Sequence, residues 1–305
     1  MGRMPASLEV EVRPPWPYRL PRRGTPNGTM RARDGIVARL LEIEGERVIV
    51  HAWQLRSGEV RLRASGAPGD GRLELAVERM RFALGVDEDL SGFLAEFKRD
   101  PVLGPALRRR PWLRPRRRPW PWEALAGAIA GQLIEASRAA AIERRIVRRW
   151  GDRVEAPAPF DRGWLRGYPS SEAIAARAPA ELAGMDLAAG RAIAMIRCAR
   201  EVAAGRVDLA CAEDDRRLQA IREIGPWTLQ CLGLNGRGDP DSLPAGDLAY
   251  VKLVGRLAGL GRRATVPEIE EWFERFAPYR GLAGTFAITH YHLGVQAGPP
   301  LRLAA

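Results

Sequence analysis

Apolar and polar residues alternate in the first part of the chain. They do so in Leu8-Glu-Val-Glu-Val12, in Arg47-Val-Ile-Val-His-Ala52 and in Val60-Arg-Leu-Arg63. Glycines at Gly45, Gly58, Gly66 and Gly71 separate these runs. A period of two broken by glycine predicts a small antiparallel sheet. The stretch 72–84 fits a strand or a helix equally well. Between the runs lies Arg13-Pro-Pro-Trp-Pro-Tyr18, which its prolines hold extended. Trp16 and Tyr18 are expected to pin that segment onto a core.

The period changes after residue 88. A helix is predicted over 90–97, broken by Asp100-Pro101. From Trp122 onward the pattern is helical, with Ile142, Ile146 and Trp150 at four-residue spacing and a stop at Gly151. Residues 157–167 read as a loop, and Ser171-Glu172 opens another helix. Ala189, Ile193, Ile196, Ala199 and Ala203 suggest one apolar stripe, with Arg191, Arg197 and Arg200 opposite. Ile269, Trp272, Phe273 and Phe276 follow Pro267 at helical spacing. Leu282, Phe286, Thr289 and Leu293 outline a last helix. The fold class expected is an α+β N-terminal domain over 1–88, followed by an all-α region over 89–305.

Residues 218–252 organise the helical part. Leu218 and Ile221 share the face of a short helix. Gly225 is expected to turn the chain through a positive φ, and Pro226 suits the first position of a new helix. That helix carries Trp227, Leu229, Leu232 and Leu234 and stops near Gly236. So tight a helix pair aims free N–H groups outward, a site for an anion such as phosphate. Asp247 stands at the start of the next helix, where a carboxylate caps well.

Charge supports a polyanionic partner. The chain of 305 residues has 48 Lys+Arg against 37 Asp+Glu, a formal net charge of +11. Lys98 and Lys252 are its only lysines. The densest basic stretch, 108–122, is rich in Arg, Pro and Trp. It reads as a solvated linker with aromatic pins or as a direct phosphate contact. Cys198, Cys211 and Cys231 have no metal-ligand spacing and argue for a reducing compartment. No iron–sulfur loop is encoded, and His51, His290 and His292 are too scattered for a metal site. No signal peptide or membrane span is apparent.

Ile221-Arg-Glu-Ile-Gly-Pro-Trp-Thr228 followed by Pro244-Ala-Gly-Asp247 resembles the helix-hairpin-helix/Gly-Pro-Asp superfamily of DNA glycosylases. The likeness is greatest to the bacterial 3-methyladenine DNA glycosylase II type. Ala128-Ile-Ala-Gly-Gln-Leu133 and the region 182–202 extend it, so that it covers roughly 120–295. The resemblance implies two helical subdomains, about 118–232 with the hairpin and 89–117 plus 233–305, with a cleft between them. It implies hydrolysis of the N-glycosidic bond of alkylated purines in duplex DNA, after the base is flipped out. Asp247 would be the catalytic carboxylate, and Trp227 and Cys231 would line the base pocket. Gln132 and Leu133 would form the wedge that replaces the extruded nucleotide. Glu223, Gly225 and Thr228 would lie against the DNA backbone.

A monovalent cation, Na⁺ or K⁺, held by the carbonyls of Arg222 and Ile224, would bridge to phosphate; no other cofactor is implied. Trp227 occupies the position of the lysine that forms a Schiff base in strand-cutting relatives, so a monofunctional enzyme is implied. The partner would be double-stranded DNA with damaged bases, bound by a monomer at the nucleoid of a bacterial cytoplasm, with no membrane involved. Glu223 replaces a family glycine and would face phosphate. Cys231 replaces a pocket tyrosine, and 285–292 lacks the family's pocket tryptophan. Two alternatives are a non-catalytic hairpin DNA-binding protein and a glycosylase for oxidised or deaminated bases.

Overall fold

The computed structural model describes residues 6–67, 71–160 and 162–291. The alternating runs form an antiparallel sheet of β1 (Ala6–Val12), β2 (Met30–Arg33), β3 (Ile36–Ile43), β4 (Glu46–Gln54) and β5 (Val60–Gly66), in the order β1-β5-β4-β3-β2. The ambiguous stretch is a helix, α1 (Arg72–Leu84). Its buried residues Leu73, Ala76, Val77, Met80 and Leu84 recur at three and four positions, a spacing only a helix places on one face. Gly85, at φ 65°, ends it by donating to the carbonyls of Arg81 and Phe82. Tyr18 is buried against this unit, and its hydroxyl donates to the Leu84 carbonyl at 3.1 Å. Trp16 donates to the Pro111 carbonyl at 2.9 Å, so both aromatics pin the extended segment as expected.

The other sheet face is covered by a ribbon where a loop was expected. Strands β6 (Arg153–Glu155) and β7 (Trp164–Arg166) pair antiparallel, and Leu165 and Phe160 pack on Ala38 and Leu40 of β3. Three-residue strands are too short to leave a readable alternation.

Helices α2 (Ser91–Phe97) and α3 (Leu103–Arg109) share a core with α11 (Leu248–Leu257), α12 (Val266–Glu274) and α13 (Arg280–Tyr291). Phe93, Phe97, Phe273, Phe276 and Phe286 dominate it. A second core joins α4 (Pro121–Gly131), α5 (Ala136–Trp150), α6 (Ser171–Ala175), α7 (Pro179–Ala183), α8 (Ala189–Ala203), α9 (Asp215–Gln219) and α10 (Pro226–Leu232). The chain thus enters the first core, leaves to build the second, and returns. A π-helical turn, Gly233–Arg237, prolongs α10, and Gly238 at φ 78° closes it. Gly236 in that turn lies against Ala124, where an added Cβ would come within 2.8 Å of the alanine's own. No described helix is long and apolar enough to cross a membrane.

Two expectations need correction. On α8 the buried face is Ala192, Met195, Ile196 and Ala199 with Ala194 and Cys198, while Ile193 is 41% exposed. The helix is wedged among α4, α6 and α7, so its buried arc is wide. The basic run 108–122 turns most of its central charges inward. Arg114 and Arg117 gather at Glu88. Arg118 pairs with Glu123 at 2.9 Å and Glu143 at 3.1 Å. The aromatic pins are real, since Trp112 lies under Arg19 and Trp120 under Arg79. His292 and Leu293 lie outside the described residues.

Candidate nucleic-acid interface and active site

Three short segments carry the expected site residues: the turn between α4 and α5, the hairpin between α9 and α10, and the first turn of α11. At the α4–α5 turn, Gln132 (φ −54°, ψ 128°) and Leu133 (φ 56°) are the central pair of a type II turn. Ile134 N–H reaches the Gly131 carbonyl at 3.4 Å. Glycine is the usual residue at the second central position. Leucine there is strained, by about 1–2 kcal/mol. Its side chain is also fully exposed, at 103% of the reference area. No internal packing explains this leucine, although sequence alone would assign it to a core.

The turn is held rigidly. Gln132 is buried and donates through Nε2 to the Glu223 carbonyl at 2.6 Å and to the Thr228 hydroxyl at 2.9 Å. Arg191 of α8 donates to the carbonyls of Ala130 at 3.1 Å and Gln132 at 2.8 Å. Gln132 therefore ties the turn to the hairpin. Thr228 is only 1% exposed and its N–H bonds to the Gly225 carbonyl. The Thr228 hydroxyl faces inward in this arrangement, toward Gln132.

The hairpin is anchored by buried Ile221 and Ile224. Its positive φ lies at Glu223 (77°), not at Gly225, which is extended at φ −112° and ψ −179°. An added Cβ on Gly225 would meet nothing within 4 Å. Neither conformation nor internal packing requires a glycine here. What glycine leaves open is close approach to the backbone from outside. The N–H groups of Gly225 and Trp227 make no hydrogen bond among the described residues.

The Glu223 carboxylate leans back over the first turn of α8. A Cβ on Gly190 would lie 3.0 Å from its Oε1, and Arg222 Nε is 4.0 Å away. A helix N-terminus favours a carboxylate. That placement sets the carboxylate against α8, with 39% of the side chain still exposed.

Asp247 caps α11. Its Oδ1 accepts from Ala249 N–H at 2.8 Å, while Oδ2 has no hydrogen-bond partner among the described residues. Cys231 lies close enough to feel its charge. Burial first, and the Asp247 carboxylate second, push that thiol well above its usual range. Tyr250, one turn along α11, is buried and stays protonated for the same two reasons. Gly284 makes room for it, since a Cβ there would lie 2.5 Å from the Tyr250 hydroxyl oxygen. The site therefore surrounds one carboxylate with neutral groups. Tyr250 was missed by sequence reasoning, although three residues after a helix cap is the cap's own side of the helix.

Trp227 spans two of the segments. Its ring approaches Gly131 at the end of α4 and Gly246 beside Asp247, where added Cβ atoms would lie 3.9 and 3.7 Å from it. The ring is half-buried, and its Nε1 is buried without a partner. Lys98 and Lys252 are both exposed, and neither belongs to the hairpin. No cluster of metal-ligating side chains occurs among the described residues.

Comparison with known proteins gives a consistent picture. The chain is 28% identical over 192 residues to a DNA-3-methyladenine glycosylase of Bacillus subtilis, covering 61% of this chain and 62% of that protein. It is 28% identical over 233 residues to a Mycobacterium tuberculosis protein named "Probable bifunctional transcriptional activator/DNA repair enzyme AlkA", covering 75% of this chain and 45% of the relative. The chain thus spans less than two thirds of either relative. A 3-methyladenine DNA glycosylase from Archaeoglobus fulgidus shares the fold, with a TM-score of 0.79 at 20% identity over 94% of this chain and all (100%) of that one. An 8-oxoguanine glycosylase/lyase of Clostridium acetobutylicum shares it too, with a TM-score of 0.68 at 16% identity over 93% of this chain and 97% of that one. No protein-family model matches the chain.

Proposed function

We propose that this chain, which is similar to the helix-hairpin-helix DNA glycosylases of the 3-methyladenine type, excises alkylated purines from duplex DNA. The observation that carries the proposal is Leu133, fully exposed at positive φ on a turn that Gln132 and Arg191 hold rigid. An apolar side chain in that state gains by entering a base stack. There it fills the space of an extruded nucleotide and offsets part of the unstacking cost.

The other parts follow from their chemistry. The hairpin takes the phosphate backbone at the open side of Gly225, through the N–H groups of Gly225 and Trp227. The carbonyls of Arg222 and Ile224 suit a hard monovalent cation there, while the carbonyl between them, that of Glu223, is used by Gln132. Asp247 keeps its cap through Oδ1. Oδ2 faces the positive charge that develops on the sugar as the glycosidic bond breaks, and orients the attacking water. The half-buried Trp227 offers a π face, which an alkylated, cationic purine prefers over a neutral base. Trp227 has no amine, so water completes the reaction and the DNA strand stays whole. The alternative, DNA binding without catalysis, draws on Glu223, whose carboxylate lies against Gly190 of α8 with 39% of its side chain exposed.

The test uses duplexes that each carry one defined lesion. After incubation with the protein, strand breaks should appear only after alkali, and chiefly with methylated purines. Breaks before alkali would contradict the monofunctional mechanism, and no breaks with any lesion would contradict glycosylase activity.

A further inference from the structure

The ribbon β6–β7 carries a second feature, remote from the hairpin. Arg153 and Arg166 stand directly opposite each other across it. Like charges in that position destabilise a strand pair. Arg148, in the last turn of α5, joins them: Arg166 Nη1 donates to the Arg148 carbonyl at 3.2 Å. A helix C-terminus explains Arg148 by itself but not the other two. None of the three has a carboxylate partner among the described residues. Asp152, just before β6, is taken by Arg47 at 2.9 Å, and Glu155, the acid within β6, stands opposite Trp164 and forms no ion pair among the described residues. Trp164, 47% exposed, lies under Arg153 with the guanidinium carbon 4.6 Å from its ring centre. Two unneutralised arginines on so small a ribbon, with Arg148 beside them and Trp164 half open to solvent, suit an external anion.

We infer that Arg148, Arg153 and Arg166, with Trp164, form a second DNA-backbone site that holds duplex outside the segment gripped by the hairpin. Position supports this. Leu133 lies just before α5, which starts at Ala136, and Arg148 lies near its end, so the helix between sets them about 20 Å apart. That is roughly six base-pair steps from the wedge. Arginine is suited to bidentate phosphate contact, and the indole packs against sugar or a frayed base. The inference rests on DNA being the partner, as proposed above.

The test compares lesion-centred duplexes of about 8 and about 24 base pairs, the shorter ending before the ribbon. Each carries a central tetrahydrofuran abasic analogue. Two variants are measured, Arg153→Glu and the double variant Arg148→Ala/Arg166→Ala. Arg153→Glu turns the like-charge pair into an attractive one, so its melting temperature should equal or exceed that of the native chain. Its affinity for the long duplex should nevertheless fall by about tenfold or more, and the salt slope should drop by about one for each phosphate no longer neutralised. Affinity for the short duplex should not change. The double variant should behave alike in binding.

Native affinity and salt slope on the long duplex would overturn the inference. So would equal weakening on both lengths, which would place the arginines within the hairpin's own footprint. If the native protein binds abasic and undamaged duplex alike, the glycosylase proposal fails, while the salt slopes on long duplex still decide the ribbon.

Discussion

The two ends of α4 treat their side chains in opposite ways. At the N-terminal end Glu123 is buried between Arg39 and Arg118, and Arg118 passes on to Glu143, which Asn27 also contacts. Every charge there has its partner inside the chain. At the C-terminal end an apolar side chain, Leu133, stands in solvent on a strained turn. The partner proposed for it is a DNA base stack. The first end is closed and ties the sheet to the helices, since Arg39 comes from β3. The second is open and poised. Polarity does not separate structural from functional residues here; whether a side chain's partners lie inside the molecule does.

The largest effect should come from opening the closed end. Glu123→Ala leaves two buried guanidiniums without their shared carboxylate, at a cost of about 3–5 kcal/mol in unfolding free energy. Urea titration measures it. The salt slope of DNA binding should stay native, because these arginines are internal. A changed slope with native stability would reverse the contrast.

The open end should respond in the other direction. Leu133→Gly removes the positive-φ strain and should stabilise the fold by about 1 kcal/mol. It should lower single-turnover base release by about tenfold or more, because unstacking is no longer offset. Loss of stability with native base release would make Leu133 a structural residue after all.

Acid gives the smallest and most graded contrast. Burial pushes the Glu123 carboxyl up, but Arg39 and Arg118 outweigh it and hold it below its usual range. A carboxyl depressed in the folded state contributes stability above its unfolded pKa of about 4.3, and that stability is lost as pH falls through the folded value. Glu268, half-buried at the surface and brought to about 2 by its bonds to Arg262 and Thr265, follows the same sign. Stability should therefore decline below about pH 4. Glu123→Gln should flatten most of that decline and Glu268→Gln little of it, because solvent screens the surface pair.

Much of this was legible in sequence. Alternation gave the sheet, and three-and-four spacing gave the α12 face of Ile269, Trp272 and Phe273. The hairpin's place between two helices and the Asp247 cap were legible because such signals are local, but the positive φ was assigned to Gly225 and lies at Glu223. What was hidden depends on distant partners. The inward arginines of 108–122 need Glu88, Glu123 and Glu143, which no local pattern connects to them. The ribbon strands are too short for a period. Exposure of Leu133 follows from the α4–α5 turn, and the parking of Glu223 from a glycine on another helix.

Asp247→Asn tests the central claim most directly. Asparagine caps a helix as well as aspartate does, so α11 and the fold should be kept. Only the charge on the free oxygen is lost. Single-turnover release of a methylated purine should fall by on the order of 10²–10³. Affinity for damaged duplex, measured in parallel, should be equal or tighter, because one negative charge near the phosphates is gone. An Asn variant that releases the base at the native rate would leave Asp247 a helix cap and nothing more, and would contradict the mechanism proposed for this chain.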